Sequence, residues 1–529
     1  MTTIDIDGYN LTIDQLTRLA RDPDVTARLA PDASDRMQAS ADLRAELVAS
    51  NTAIYGVTTG FGDSARTLIS ADQADALQGD LIRFLLSGQG ETTPHSVTRA
   101  MIAVRANCLA RGVSGARPLI AEMLVDLLNH NITPLVPQRG SVGASGDLVP
   151  SAYLAETLMG EGSVHFNGTT TTAAAALQAI GLRPVKLQAK EALALVNGTS
   201  FMTAYAALSL HAARELALGA DACTALTSQV LGGFAAHFAS FLTDHKPHPG
   251  QIASAALVST LLEGSTMSGQ AEQHVPGDTK EVRKLNRQVQ DRYSVRCAPH
   301  VTGVLRDTVE WASRWVETEI NSANDNPLFD VDSGEVFSGG NFYGGHVVAA
   351  MDALKVAVSS VADLMDRQLA LIVDDKFNNG LPSNLVDEHR DETGMSHGYK
   401  GMQIACSALA AEALKNSTPA TVFSRSTESH NQDKVSMGSI GARDAWNVVD
   451  LTRNAMAIHL HALCQGAELR GSERLSPATK VLWDSVRDKV DFLVADRPLD
   501  REIALLADLI DDGGFSQTIG KYDGSSKDD

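Results

Sequence analysis

At 529 residues, 44% of them hydrophobic, the chain is long enough to bury a large core and to form two or three domains. Its 44 Lys plus Arg against 64 Asp plus Glu give a net charge of -20, which disfavours a nucleic-acid or anionic-membrane surface. The start Met1-Thr-Thr-Ile-Asp-Ile-Asp7 lacks a signal-type pattern, and no apolar run is long enough to cross a bilayer. The five cysteines, Cys108, Cys223, Cys297, Cys406 and Cys464, show no metal-ligand pairing, so the reading is a cytoplasmic protein with reduced, mostly buried cysteines.

In chain order, residues 1 to about 50 read as short helical segments, the clearest after Pro31. Ile54-Tyr-Gly-Val-Thr-Thr-Gly-Phe-Gly62 reads as a mobile loop in which Tyr55 either faces a ligand or sits in a surface turn. Ser70-Ala-Asp-Gln73 fits a capping box that opens a helix ending near Phe84 and Leu85. Further helices are expected after Pro94, over Ile120 to Leu128 and up to Met159, with a small hairpin near Val164 to Gly168. The Ala- and Leu-rich run from Phe201 to about Leu231 begins a region of long helices, over about 251–263, 302–321, 346–373, 399–415 and 440–466. A hairpin is expected around Asp332-Ser-Gly334 and a polar frayed tail over 520–529.

The stretch with most chemical content is Gly140-Ser-Val-Gly-Ala-Ser-Gly-Asp147. It lacks the Lys followed by Ser or Thr of a phosphate loop, and Asp147 stands where a nucleophile elbow would need glycine. Three glycines would let it fold back so that the Gly146 amide nitrogen attacks the Ala144 carbonyl. Loss of two waters, one from the Ser145 hydroxyl, would leave a five-membered ring with an exocyclic methylidene. That is an electrophile no ordinary side chain provides, and it can make an amine a leaving group. The plain alternative is a glycine-rich turn before a helix, with Asp147 at the positive end of the helix dipole.

Other parts of the chain supply candidate partners for such a group. Tyr293 and Arg296, three apart in Gln290-Asp-Arg-Tyr-Ser-Val-Arg296, are neighbours if helical; an arginine clamps a carboxylate bidentately and a tyrosine relays a proton. Glu428-Ser-His-Asn-Gln-Asp433 suits an amine-binding helix entrance or a solvated cap. Asn197 in Asn197-Gly-Thr-Ser200 points an amide at a ligand, or the segment caps the long helix through Thr199 or Ser200. Asn341 and Phe342 line a pocket or fill a glycine-rich loop.

Together and in order, Tyr55-Gly-Val-Thr-Thr-Gly-Phe-Gly62, Gly140 to Asp147, Asn197-Gly-Thr-Ser200, Tyr293-Ser-Val-Arg-Cys297, Ser322-Ala-Asn-Asp-Asn-Pro327 and Asn431-Gln-Asp-Lys-Val-Ser-Met-Gly438 give a chain that resembles the aromatic amino acid ammonia-lyases and aminomutases, from about residue 50 to 470. The resemblance implies a mainly α, histidase-like fold: an N-terminal domain over 1–196 with the ring and tyrosine loop, and a long-helix bundle over 197–529. It also implies a homotetramer whose active sites draw on three subunits. By motif, Ala144, Ser145 and Gly146 form a methylideneimidazolone (MIO) ring without metal or added cofactor. Tyr55 removes the β proton, Arg296 holds the carboxylate, and Asn197, Gln290, Tyr293, Asn326, Phe342, Glu428 and Gln432 contact substrate or ring.

Phe84 and Leu85 occupy the positions that look like the family's selectivity pair. They offer apolar surface for an unsubstituted phenyl ring and leave a phenolic hydroxyl without a partner, which favours phenylalanine over tyrosine or histidine. The alternatives are a phenylalanine 2,3-aminomutase using the same residues, a tyrosine or histidine ammonia-lyase, and a non-catalytic relative. Lys434, His300 and Val149-Pro-Ser151 depart from the usual motifs, and the chain lacks the insertion of plant and fungal members, which makes it look bacterial.

Overall fold

The periodic apolar stretches form helices that dominate a computed structural model describing residues 2–267, 288–387, 389 and 394–524, the side chains of residues 71 and 72 excepted. The long helices run Ser200–Val230, Ala298–Ile320, Gly345–Val373 and Gly438–Arg470, close to the expected spans. The chain divides into two compact units, each assembled from separate segments. The first holds Met1–His211, Ala312–Asp352 and Pro419–Trp446, and the second holds Ala212–Trp311, Ala353–Thr418 and Asn447–Asp529.

The start of the first unit corrects the all-helical reading of residues 1–50. Thr2–Ile6 and Val25–Leu29 are parallel strands, paired from Thr2↔Val25 to Ile6↔Leu29, with the helix Ile13–Arg21 between them. Ile4 and Ile6 alternate toward the core, and five residues are too few for that alternation to stand out against a helical period. Pro31–Ala49, His95–Ala110, Pro118–Asn129 and Leu148–Leu158 are helices as expected, and Asn167-Gly168 turns the expected hairpin. Ser70 is the N-cap of Ala71–Leu85, yet its side chain accepts no capping hydrogen bond.

His95–Ala110 is the spine of this unit, buried at every position from Val97 onward. Each fully buried large apolar side chain stabilises the fold by about 1.5–3 kcal/mol, but three polar residues on this helix must offset their desolvation. Arg99 donates to the carbonyls of Leu19, Ala20 and Leu128, Asn107 donates to Ile320 O, and Arg105 Nη1 donates to Ala194 O and Asn197 O at 3.1 Å each. These bonds tie the first strand region and the Asn197 turn to one rigid helix.

In the second unit Gly219, the one break in the long Ala- and Leu-rich run, lies where a Cβ would overlap Met456 and Phe515. Its absence of a side chain lets helices pack closely, which outweighs the propensity cost of about 1 kcal/mol. Asp221, fully buried, meets Arg306 at 2.8 Å, and Arg306 reaches Asp523. Tyr399 and His461 share a buried 2.6 Å hydrogen bond, continued by His461 to Glu502. All five cysteines are free and four are buried. At the C-terminal end Gly520–Tyr522 forms a 3₁₀ turn, and residues 525–529 of the expected tail lie outside the described residues. No helix among the described residues is long and apolar enough to cross a membrane.

Candidate active site

Gly143 and Gly146 adopt φ of +65° and +70°, the left-handed region that glycine reaches without strain, so the segment from Gly140 doubles back as its composition predicts. A Cβ on Gly146 would collide with the carbonyl of Gly198, and the two residues form a bridge sealed by Asp147 N donating to Gly198 O at 2.7 Å. Ala144 packs among Val348, Ala420, Val435 and Met437, which fixes one end of the tripeptide.

Ser145 is the meeting point. Its carbonyl accepts from Asn197 Nδ2 at 2.9 Å and from the Gly198 amide at 3.1 Å, while its hydroxyl accepts from Gln432 Nε2 at 3.1 Å. Asn197 thus aims its amide at the tripeptide, and Thr199 turns its hydroxyl to Glu319. Two donors on one carbonyl stabilise negative charge that develops there.

Asp147 stands at the head of Leu148–Leu158, but its carboxylate serves two other helices, accepting from Met202 N at 2.8 Å and from the Ser439 hydroxyl. The first turns of helices starting at Leu148, Ser200 and Gly438 are therefore joined at one buried acid, with their positive ends toward it. Burial pushes the Asp147 carboxyl up to about 6, opposed by the bonds from Ser439 and Met202. The folded chain binds this proton more tightly than the unfolded chain, so the group's contribution to stability falls as pH rises from about 4 to about 6 and is level above. Urea unfolding should show Asp147→Asn gaining on the native chain by about 1 kcal/mol between pH 5 and pH 7; a difference independent of pH would contradict this.

The Tyr55 loop is irregular up to Phe61, as expected, apart from a single bridge from Thr59 to Leu68, and Gly62 opens the short 3₁₀ helix Gly62–Arg66; the loop is nevertheless braced. Thr58 Oγ1 accepts from Ile54 N and donates to Thr52 O, Thr59 Oγ1 accepts from Gly56 N, and Ile54 and Val57 are buried against Ala74, Ala189 and Phe329. The Tyr55 hydroxyl accepts from the Gly62 amide at 3.1 Å, which sets the direction of the phenol oxygen. Glu428 accepts through Oε1 from the Asp63 amide at 3.0 Å and through Oε2 from Asn431 Nδ2 at 2.8 Å.

The first unit thus gathers Tyr55, Ser145, Gly146, Asn197, Glu428 and Gln432 into one connected set. Asn326, also there, accepts from Gly339 N at 2.6 Å and so anchors the loop that carries the half-buried Phe342. Phe84, 66% exposed, and the buried Leu85 end the helix Ala71–Leu85. Gln290, Tyr293 and Arg296 belong to the second unit. There Tyr293–Arg296 is a single helical turn, the Arg296 guanidinium lies 4.5 Å from the Tyr293 ring centroid, and Arg296 Nε donates to Asp291 O. Tyr293 and Gln290 are exposed.

Sequence reasoning missed Arg105, Gly198 and Ser439. Arg105 had a signal, an arginine set among apolar residues of a helix buried from Val97 onward, whereas Ser439 is 292 residues from its partner Asp147 and has none. Among the described residues no group of histidine, cysteine or carboxylate side chains is arranged to hold a metal.

Comparison with known proteins places this arrangement. The family model for aromatic amino acid lyases matches residues 11–488. The chain is 40% identical over 524 residues to a tyrosine ammonia-lyase of Cupriavidus metallidurans, covering 97% of each, and 37% identical over 514 residues to a histidine ammonia-lyase of Gloeobacter violaceus, again covering 97% of each. The tyrosine aminomutase of Streptomyces globisporus superposes with a TM-score of 0.93 at 34% identity, covering 99% of both chains. The fold is that of the histidase-like enzymes, and the chain belongs to the aromatic amino acid lyase family, which includes ammonia-lyases and aminomutases.

Proposed function

We propose that this chain is an ammonia-lyase converting L-phenylalanine to trans-cinnamate and ammonia, with the methylideneimidazolone ring built from its own Ala144, Ser145 and Gly146. The observation that carries the reading is the convergence on Ser145: two amide donors on its carbonyl, one on its hydroxyl, and a neighbour at 146 that must be glycine. Those surroundings fit the ring, because the Ser145 carbonyl is the oxygen the ring would retain and the Ser145 hydroxyl is one of the two it would lose. The ring would supply the electrophile that turns the substrate's amine into a leaving group.

The chain's own residues supply the rest. Asn197 Nδ2 and Gly198 N hold the Ser145 oxygen where charge collects. Tyr55 takes the β proton, and Arg296 clamps the carboxylate. Gln290, Tyr293, Asn326, Phe342 and Gln432 complete the substrate and ring contacts, in an active site shared between subunits of a homotetramer.

The choice of phenylalanine rests on Phe84 and Leu85, not on the names of the relatives, which include tyrosine and histidine enzymes. An apolar pair leaves a tyrosine hydroxyl unpaired, and a site so built discriminates by about 1–3 kcal/mol. Phe84→His should therefore raise the kcat/KM ratio of tyrosine over phenylalanine by about ten- to a hundredfold. An unchanged ratio would remove Phe84 as the selector. The second reading, an aminomutase, is favoured by the likeness to the tyrosine aminomutase and would appear as β-phenylalanine among the products.

A further inference from the structure

The turn from Thr427 to Gln432 is unlike the ordinary polar helix entrance expected there. Glu428, Ser429 and His430 hold φ of +51°, +53° and +62° in succession, and none is glycine. Thr427 and Gln432 close the turn with paired backbone bonds, Thr427 N to Gln432 O at 3.0 Å and Gln432 N to Thr427 O at 3.3 Å. At one end Gln432 reaches the Ser145 hydroxyl. At the other, Glu428 reaches the tyrosine loop through the Asp63 amide, next to the Gly62 amide that holds the Tyr55 phenol. One turn is therefore bonded both to the tripeptide and to the loop bearing the proposed base.

The Glu428 carboxylate fits this place closely. A Cβ on Gly62 would overlap Oε1, so glycine at 62, φ +57°, is required by the carboxylate as well as by the backbone. Oε2 is held by Asn431 of the same turn, so both oxygens already accept a hydrogen bond from the protein.

We propose that Glu428 is a positioning residue: its carboxylate is the catch that holds the Tyr55 loop, and with it the phenol, in register with Ser145, instead of a group whose task is to meet the substrate amine. This rests on the reading of Tyr55 as the base, but the catch itself is testable without substrate. The catch on the Asp63 amide needs one acceptor oxygen and not a charge, so Gln at 428 can replace Glu, its oxygen on Asp63 N and its NH2 donating to the Asn431 side-chain oxygen once that amide turns over, whereas an amine contact needs the charge.

Amide hydrogen exchange and steady-state kinetics on the full-length chain separate the two. Glu428→Ala should speed exchange of peptides covering residues 55–66 about tenfold or more and lower kcat much more than it moves KM. Glu428→Gln should stay within about threefold of the native chain in both. The proposal is overturned if Glu428→Ala exchanges like the native chain, or if Glu428→Gln loses as much activity as Glu428→Ala with exchange unchanged. Should the native chain eliminate ammonia from no aromatic amino acid, the lyase reading fails while the exchange data still decide the catch.

Discussion

Replacing Tyr55 by phenylalanine should lower turnover of L-phenylalanine by about three orders of magnitude, the scale of losing a positioned general base, while leaving maturation of the tripeptide untouched. The β proton is only weakly acidic, and among the residues gathered around Ser145 in the first unit the Tyr55 phenol, held by the Gly62 amide, is the group we assign to remove it. The substitution removes one acceptor from Gly62 and little else. Thr58, Thr59 and the apolar packing of Ile54 and Val57 still fold the loop, so the stability cost should be about 1 kcal/mol. Rates on the purified variant, with intact mass on the same sample, check both halves. Near-normal turnover would remove Tyr55 from the role, and a chain no longer short of two waters would show that Tyr55 acts in maturation instead.

Gly146→Ala should abolish activity by a different route, by stopping the ring from forming. A Cβ there meets the Gly198 carbonyl, and Gly198 cannot retreat because it is itself packed against Arg105 and Asn324. The segment must open, which separates the Gly146 nitrogen from the Ala144 carbonyl it has to attack. Intact mass should then show a chain that has lost no water. Gly181→Ala is the control: φ is +79° but nothing lies within 4 Å of the added Cβ, so it should cost only about 1 kcal/mol and still show the loss of two waters from its own calculated mass. Loss of two waters in Gly146→Ala would contradict the account of this turn.

The helices were legible because their apolar period repeats over many turns, as in Ser200–Val230 and Gly438–Arg470. The parallel strands at Thr2–Ile6 and Val25–Leu29 were not, since each is short and finds its stability in a partner about twenty residues away. The tripeptide, Tyr55, Asn197 and Gln432 could be picked out because each sits in a dense local motif. What the motif could not supply is who binds whom: Gln432 reaches Ser145 across 287 residues, and Glu428 reaches the Asp63 amide across 365. Those two bonds support the proposal of Glu428 as the holder of the tyrosine loop. Asp147, placed by sequence at a single helix start, proved to join three. The proposed substrate choice rests on far less sequence, Phe84 and Leu85 at one helix end.

The most direct test is to incubate the purified chain separately with L-phenylalanine, L-tyrosine and L-histidine, following arylacrylate absorbance and then analysing the products for β-amino acids. The account predicts trans-cinnamate and ammonia from phenylalanine, with tyrosine and histidine much poorer. Coumarate or urocanate as the main product would contradict the reading of Phe84 and Leu85, and β-phenylalanine as the main product would make the chain an aminomutase.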